Sequence, residues 1–327
     1  MRLTASAAEG FEHFDAKLIY DPPEIIVLHD RDDKPIEYLD NSETNRMRMN
    51  LVTINEALSA TTLTYQGNLI RTGEALSVGD IRIIAHQSLY RIFNRANFEC
   101  GGRFCGPWWQ NVPSETRAEI EINGSRTIEA DYSQLHPRLL YAMAAKSLGA
   151  DAYRIDGWER PLVKQATNTL INADDELSAL QSIAQKIGGK GAFARARTLI
   201  EQIRDKHRGI ADCFGSGEGL RLMKIDSEMA ESVQLKLIGR GIISLPVHDS
   251  FVVEARHAGA LEEIMGEVLE LTLRGIGGNS RAPIEFGQKV PQYGDGGIAL
   301  SGRPAVAVER EPANDDLPSD SRSREAA

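Results

Sequence analysis

Residues 118–132, AEIEINGSRTIEADY, decide how the chain is read. AEIEI and RTIEADY alternate apolar and polar residues with the period of a half-buried strand. Between them lies Asn123-Gly124, the dipeptide that best accepts the positive φ of a tight hairpin turn. The pattern therefore predicts a β-hairpin, with Asp131 near the end of its second strand. From Pro137 the run LLYAMAAKSLG takes helical spacing, with proline in the first turn and Gly149 closing it. Further along, helical patterns cover 158–173, 192–207, 223–239 and 259–274. Before the last of these, IISLPV and SFVVEA read as two strands joined by His248-Asp249. Upstream, 42–58 is an amphipathic helix, 61–71 alternates like a hairpin around Gln66-Gly67, and 83–98 returns to helical spacing. This is an α+β chain with antiparallel strands and no repeat of 20–50 residues.

Composition narrows the class. The 327 residues are 42% hydrophobic and 26% charged, which suits a globular chain with material for about two domains. Residues 139–145 form the longest apolar run, far short of the roughly 18 residues a membrane span needs. The first 14 residues lack the apolar region of a signal peptide, so a cytoplasmic protein is expected. Cys100, Cys105 and Cys213 form no CxxC pair, have no histidine at metal-ligand spacing, and read as reduced thiols. A net charge of −10 argues against coating nucleic acid by charge alone. Residues 186–208, with seven Lys or Arg and two acids, are a local exception that suits a phosphate-lined groove or a solvated helix. Residues 301–327 hold too few large apolar groups to order themselves and are expected to be a disordered tail.

Two features carry chemistry. Asp131 ends one strand and Asp249 sits in the turn of a second hairpin; if those strands share a sheet, the carboxylates come side by side. Paired carboxylates hold divalent cations, and two such ions can activate an attacking hydroxyl and stabilise the leaving oxygen of an in-line displacement. Taken singly, each is equally a strand end or a solvated turn. In the 158–173 helix, Arg160, Lys164, Asn168 and Asn172 recur at i+4 as one polar stripe. Arg160 and Lys164 would bind a triphosphate and the asparagines would face sugar or base; the plainer alternative is a solvated face.

Together these residues resemble the palm and fingers of family A DNA polymerases and the related phage-type single-subunit RNA polymerases. Asp131-Tyr132-Ser133-Gln134-Leu135-His136-Pro137-Arg138 is similar to motif A, DYSQIELR. Arg160 and Lys164 match the cations of motif B, and Val247-His248-Asp249-Ser250 matches motif C. Gly102-Arg103, Pro107, Gln110-Asn111-Val112-Pro113 and Arg117 resemble the GR…P…QNIP…R segment that precedes motif A. The ordered blocks span 103–254, about half the chain.

The resemblance implies a polymerase palm with an antiparallel sheet at 101–300, compact helical fingers inserted at about 150–222, and a reduced, helical, thumb-like region at 1–100. It implies two Mg²⁺ ions held by Asp131, Asp249 and the Tyr132 carbonyl. Nucleotide phosphates would lie on Arg160 and Lys164, with Asn168, Asn172 and His136 nearby. Arg103, Gln110 and Asn111 would meet the template–primer, and His248 the primer 3′ end. The implied partners are nucleoside triphosphates and a primed template, with no membrane, and the length before Arg103 leaves no room for a proofreading exonuclease.

Three departures bear on substrate. His136 replaces the glutamate that helps exclude a ribose 2′-hydroxyl, Asn172-Ala173 replace Tyr-Gly, and Ser250 resembles the RNA-enzyme form of motif C. DYSQ and QNVP favour DNA synthesis. An RNA- or primer-making enzyme, and an inactive nucleic-acid-binding derivative, stand as alternatives.

Overall fold

A computed structural model describes residues 24–65, 69–72, 75–78, 81–84, 86–149, 151–277 and 286–289. In chain order it comprises β1 (Ile26–His29), β2 (Pro35–Ile36), α1 (Ser42–Ser59), β3 (Leu63–Tyr65), β4 (Leu69–Thr72), β5 (Ala75–Val78), β6 (Ile81–Ile84), β7 (Tyr90–Asn94) and β8 (Asn97–Cys105). The hairpin β9 (Ile120–Ile122) and β10 (Ser125–Tyr132) follows. Then come α2 (Leu135–Met143), α3 (Arg160–Asn172), α4 (Glu176–Ile187), α5 (Ala192–Lys206) and α6 (Gly219–Gly239). A second hairpin, β11 (Ser244–Val247) and β12 (Ser250–Glu254), leads to α7 (Ala258–Gly275) and β13 (Phe286–Lys289). The tail at 301–327 and the Gln66-Gly67 turn lie outside the described residues.

The central sheet grows from the β9–β10 hairpin. Asn123 and Gly124 adopt φ of 51° and 76°, as the dipeptide predicts, and Ser125 pairs with Ile122. β10 is flanked by β12, from Thr127↔Glu254 to Asp131↔Ser250, and by β13, from Glu129↔Lys289 to Tyr132↔Phe286. The order is β11-β12-β10-β9-β3 with β13 also on β10, and every ladder is antiparallel. Pro246 lies in the edge strand β11, where a missing N–H costs no inner ladder bond. Side-chain alternation gives the sheet two faces. Ala130 and Tyr132 turn toward α7, whose Leu261, Ile264, Met265, Val268 and Leu269 are buried, and the Tyr132 hydroxyl donates to the Met265 carbonyl at 2.9 Å. Glu129 and Asp131 turn the other way.

The 83–98 segment is a correction to the sequence reading: instead of a helix it supplies β6 and the β7–β8 hairpin, turning at Arg95 and Ala96 with φ of 59° and 51°. In β7 the buried positions are Arg91 and Phe93 while Ile92 is half-buried. A buried arginine placed on the inner face hides the period of two from any count of apolar residues. The 61–71 hairpin is also corrected, since β3 pairs with β9 and β4 joins β5 and β6 in a separate sheet. Helix α4, absent from the sequence reading, starts at an Asp175 cap whose side chain accepts from the Ser178 amide.

Arg91 explains how the first strands hold to α6. It is 0% exposed, stacked between Phe93 and Phe104 with its guanidinium carbon 5.1 and 5.2 Å from their centroids. Its Nε donates to the Gly102 carbonyl (2.7 Å), one terminal nitrogen to Glu231 (2.6 Å) and the other to the Ser227 hydroxyl (2.9 Å). Glu231 also accepts from Arg46 and Asn50 of α1, at 2.8 and 2.6 Å. Thus β7, β8, α1 and α6 share one buried ionic knot. Helix α1 itself starts at a reciprocal Asn41–Thr44 capping box and buries Met47, Leu51, Ile54 and Leu58 on one stripe.

A second polar group ties the α3–α5 helices down. His207, 1% exposed, donates from Nε2 to the Ala152 carbonyl (2.9 Å), so its Nδ1 accepts from the Tyr141 hydroxyl (3.0 Å). Both bonds suit the neutral ring, and burial holds its pKa below the usual histidine value despite the Ala152 bond. The unfolded chain therefore binds the proton more readily. This stabilisation is complete above the unfolded pKa of about 6.5 and is lost as pH falls below it toward the folded value. Thermal melts between pH 7.5 and 5 should show a steeper acid decline for wild type than for His207→Asn, although the variant is less stable at pH 7.5. Parallel declines would remove His207 from that role.

Candidate active site

Register brings the backbones of the two acids together. Asp131 pairs with Ser250, and the Tyr132 amide donates to the Asp249 carbonyl at 3.4 Å, so Asp249 stands at the hairpin tip diagonal to Asp131. Both are half-buried. Beside them Gly287 of β13 faces Asp131, where a Cβ would come within 2.0 Å of Asp131 Oδ1. That position admits no side chain while the carboxylate keeps its place.

Below the pair lies a rigid support. Glu129, 6% exposed, accepts two bonds of 3.1 Å from Arg117 and one of 2.8 Å from the Ser250 hydroxyl. Arg117 also donates to the Val112 carbonyl at 2.8 Å. Glu129 is thus neutralised by a fork-to-fork pair, and the Arg117 of the sequence pattern acts inside the protein. Ser250 is likewise a buried support for Glu129.

His248, at the tip, is exposed and has φ of 59°, a region that non-glycine residues seldom occupy. Crowding by the surrounding protein and the Arg103 charge hold its imidazole below the usual pKa, against the pull of Asp249 and Asp226. Gln134, at the amino end of α2, has the same φ of 59° and accepts from the Ala152 amide at 2.6 Å. Left-handed residues therefore follow Asp131 and precede Asp249.

Arg103 and His136 meet on a residue the sequence reading passed over. Asp226 of α6, 2% exposed, accepts from Arg103 Nε at 3.2 and 3.3 Å and from a terminal nitrogen at 2.5 Å. His136 Nε2 lies 2.9 Å from the same carboxylate. Burial opposes the Arg103 charge, but Asp226, with a contribution from Asp249, outweighs it and keeps the guanidinium's pKa above its usual value. A signal for Asp226 existed: it lies on the buried stripe Leu222, Asp226, Met229, Val233 and Leu237, and a carboxylate on such a stripe needs a partner.

Arg160 lies at the start of α3, its guanidinium carbon 5.4 Å from the centroid of the buried Tyr153 ring. Burial and the Asp249 charge push the Tyr153 hydroxyl up, against the pull of Arg160, so Asp249 and Arg160 act on one side chain from two directions. Lys164 is exposed one turn on. Farther along, Asn172 donates to the Asn168 carbonyl at 2.7 Å, and its oxygen lies against Gly219. One N–H of the exposed Asn172 amide is thus spent on its own helix.

Gln110 gives both amide hydrogens to carbonyls, of Phe104 (3.1 Å) and Pro246 (3.0 Å), and Trp109 also donates to Pro246 at 3.1 Å. These bonds hold β11 against β8 and leave Gln110 only its oxygen for outside contacts. Asn111 is exposed. Among the described residues no group of three or more His, Cys, Asp or Glu forms a ready-made metal site, and no helix is long and apolar enough to cross a membrane.

No protein-family model and no curated protein matches the sequence. Among solved structures, the POL domain of Pol1 from M. smegmatis, in complex with DNA primer-template and dNTP, is similar at 16% identity with a TM-score of 0.41, over 75% of this chain and 50% of that chain. The chain thus spans about half the length of that structure. A likeness at this level assigns no activity to the chain.

Proposed function

We propose that the chain is a template-directed nucleotidyltransferase of the family A DNA polymerase type, adding nucleotides to a primer 3′ end. The observation that carries this reading is the antiparallel register of β10 and β12, which sets Asp131 beside the Asp249 turn. Arg160, at the start of α3, lies over the ring of Tyr153, whose hydroxyl also feels the Asp249 charge. The carboxylates of Asp131 and Asp249, borne by neighbouring backbone of one sheet and its turn, are with the Tyr132 carbonyl hard oxygen donors of the kind that fit Mg²⁺, an ion that completes its shell with water and substrate phosphates. When bound, Mg²⁺ would supply charge neutralisation for the phosphates and a more acidic 3′-hydroxyl.

The remaining work falls to the chain's own groups. Arg160 and Lys164 neutralise the triphosphate, the guanidinium by its fork and the ammonium as a point charge. Asp226 holds Arg103 and His136 together, so the unbonded edge of Arg103 is aimed toward the primer terminus and His136 stands by the sugar. His248, kept neutral near pH 7, borders the primer end without adding a charge. Orientation and electrostatics of this kind carry most of phosphoryl transfer.

A second reading, RNA or primer synthesis, is favoured by one feature. The sugar-side position holds His136, tied to Asp226 at 2.9 Å, rather than a free carboxylate. Extension of a labelled primer–template with Mg²⁺ and either dNTPs or rNTPs tests both. The expected outcome is metal-dependent extension with dNTPs preferred; extension from rNTPs alone selects the second reading, and no extension with either sinks both.

A further inference from the structure

The loop leading into α3 binds Arg160 before any ligand does. Asp151 Oδ2 accepts from Arg160 Nε at 2.9 Å, and Oδ1 lies 3.4 Å from a terminal nitrogen. That edge of the guanidinium is one of the two through which it makes a bidentate contact with phosphate, so carboxylate and phosphate exclude each other there. Oδ1 also accepts from the Tyr153 amide at 2.9 Å, which fixes the carboxylate, while the Tyr153 ring under Arg160 fixes the guanidinium. Lys206 of α5 adds a further positive field at Asp151. The side chains of Arg160 and Asp151 are 51% and 29% exposed, and ion pairs so exposed are weak because water screens the attraction. A group carrying several negative charges can therefore displace Asp151 at small cost.

We infer that Asp151 is a built-in substitute for the nucleotide's phosphates: it positions Arg160 in the free protein and gives it up when a triphosphate binds. Asp151 is then a positioning residue that sets triphosphate affinity by competing for one guanidinium edge. The inference rests on Arg160 being a phosphate ligand. It also accounts for a difference between neighbours on one stripe: Arg160 is neutralised in the free protein, whereas Lys164, four residues on, makes no ion pair among the described residues.

The test is titration of the full chain with inorganic tripolyphosphate by calorimetry, with steady-state kinetics alongside. Asp151→Asn keeps the oxygen that accepts from Tyr153 and removes the charge. It should bind tripolyphosphate about five-fold more tightly than wild type, and lower KM for the nucleotide by a similar factor with kcat unchanged, a gain that structural damage would not produce. In Arg160→Ala the gain should vanish, so that adding Asp151→Asn changes nothing. Asp151→Ser, which also retains a local acceptor, serves if the asparagine variant melts early. Unchanged or weaker binding by both Asp151 variants, with Arg160→Ala weakened, overturns the role of Asp151 alone. Equal binding by Arg160→Ala and wild type overturns Arg160 as a phosphate ligand.

Discussion

Replacing Asp131 or Asp249 with asparagine should lower Mg²⁺-dependent nucleotide incorporation by about a thousandfold or more while leaving cooperative unfolding intact. The magnitude follows from chemistry that depends on charge. A shared cation site loses one of two carboxylates, and about 4 kcal/mol of lost transition-state stabilisation is about a thousandfold in rate. Folding is spared because asparagine is isosteric. β10 keeps its ladders to β12 and β13, and the space opposite Gly287 stays filled by a group of the same size. The Arg117–Glu129–Ser250 support beneath is untouched. Single-turnover primer extension together with circular dichroism melts separates the two effects, and extension at wild-type rate by either variant would falsify the proposed site.

The largest stability effect is expected far from those carboxylates. Glu231→Ala strands Arg91, which is 0% exposed and has no route to water. Removing one partner of a buried pair costs about 3–5 kcal/mol, mainly because an uncompensated charge stays behind. Arg46 and Asn50 lose their shared acceptor as well, so α1 loosens from α6. Replacing both members, Arg91→Met with Glu231→Leu, should recover much of the loss, because two apolar groups of similar volume leave no charge unpaired. Urea denaturation of Arg91→Met, Glu231→Leu and the double variant gives the cycle. A double variant as unstable as the sum of the singles would show that the pair's charge is not what holds β7 to α6.

Much of the frame is legible in the amino-acid sequence. Asn123-Gly124 announced a hairpin because few other dipeptides tolerate two positive φ values in succession, and the strands on either side alternate cleanly. The β11–β12 hairpin, the amphipathic α1 helix and the stripe on α3 were readable for the same reason: each is set by local sterics and by a periodic pattern within a dozen residues. Segment 83–98 was misread because its inward positions carry Arg91, a residue that counts as polar in any hydrophobic pattern. Asp226 was passed over although its position on an apolar stripe was visible, because a carboxylate there says that a partner exists without saying which.

The amino-acid sequence by itself determined most element types outside 61–98 and 176–187, the positions of Asp131 at a strand end and Asp249 in a hairpin turn, and the order of the motif-like blocks, since these depend on backbone preference and on residues close along the chain. Only the tertiary structure decided that β10 lies between β12 and β13, that Arg103 and His136 converge on Asp226, and that Asp151 occupies Arg160. Those contacts join residues 9 to 160 positions apart. Their formation depends on which hydrophobic faces bury against each other and on which buried charges find partners, and neither is encoded in any short stretch of residues.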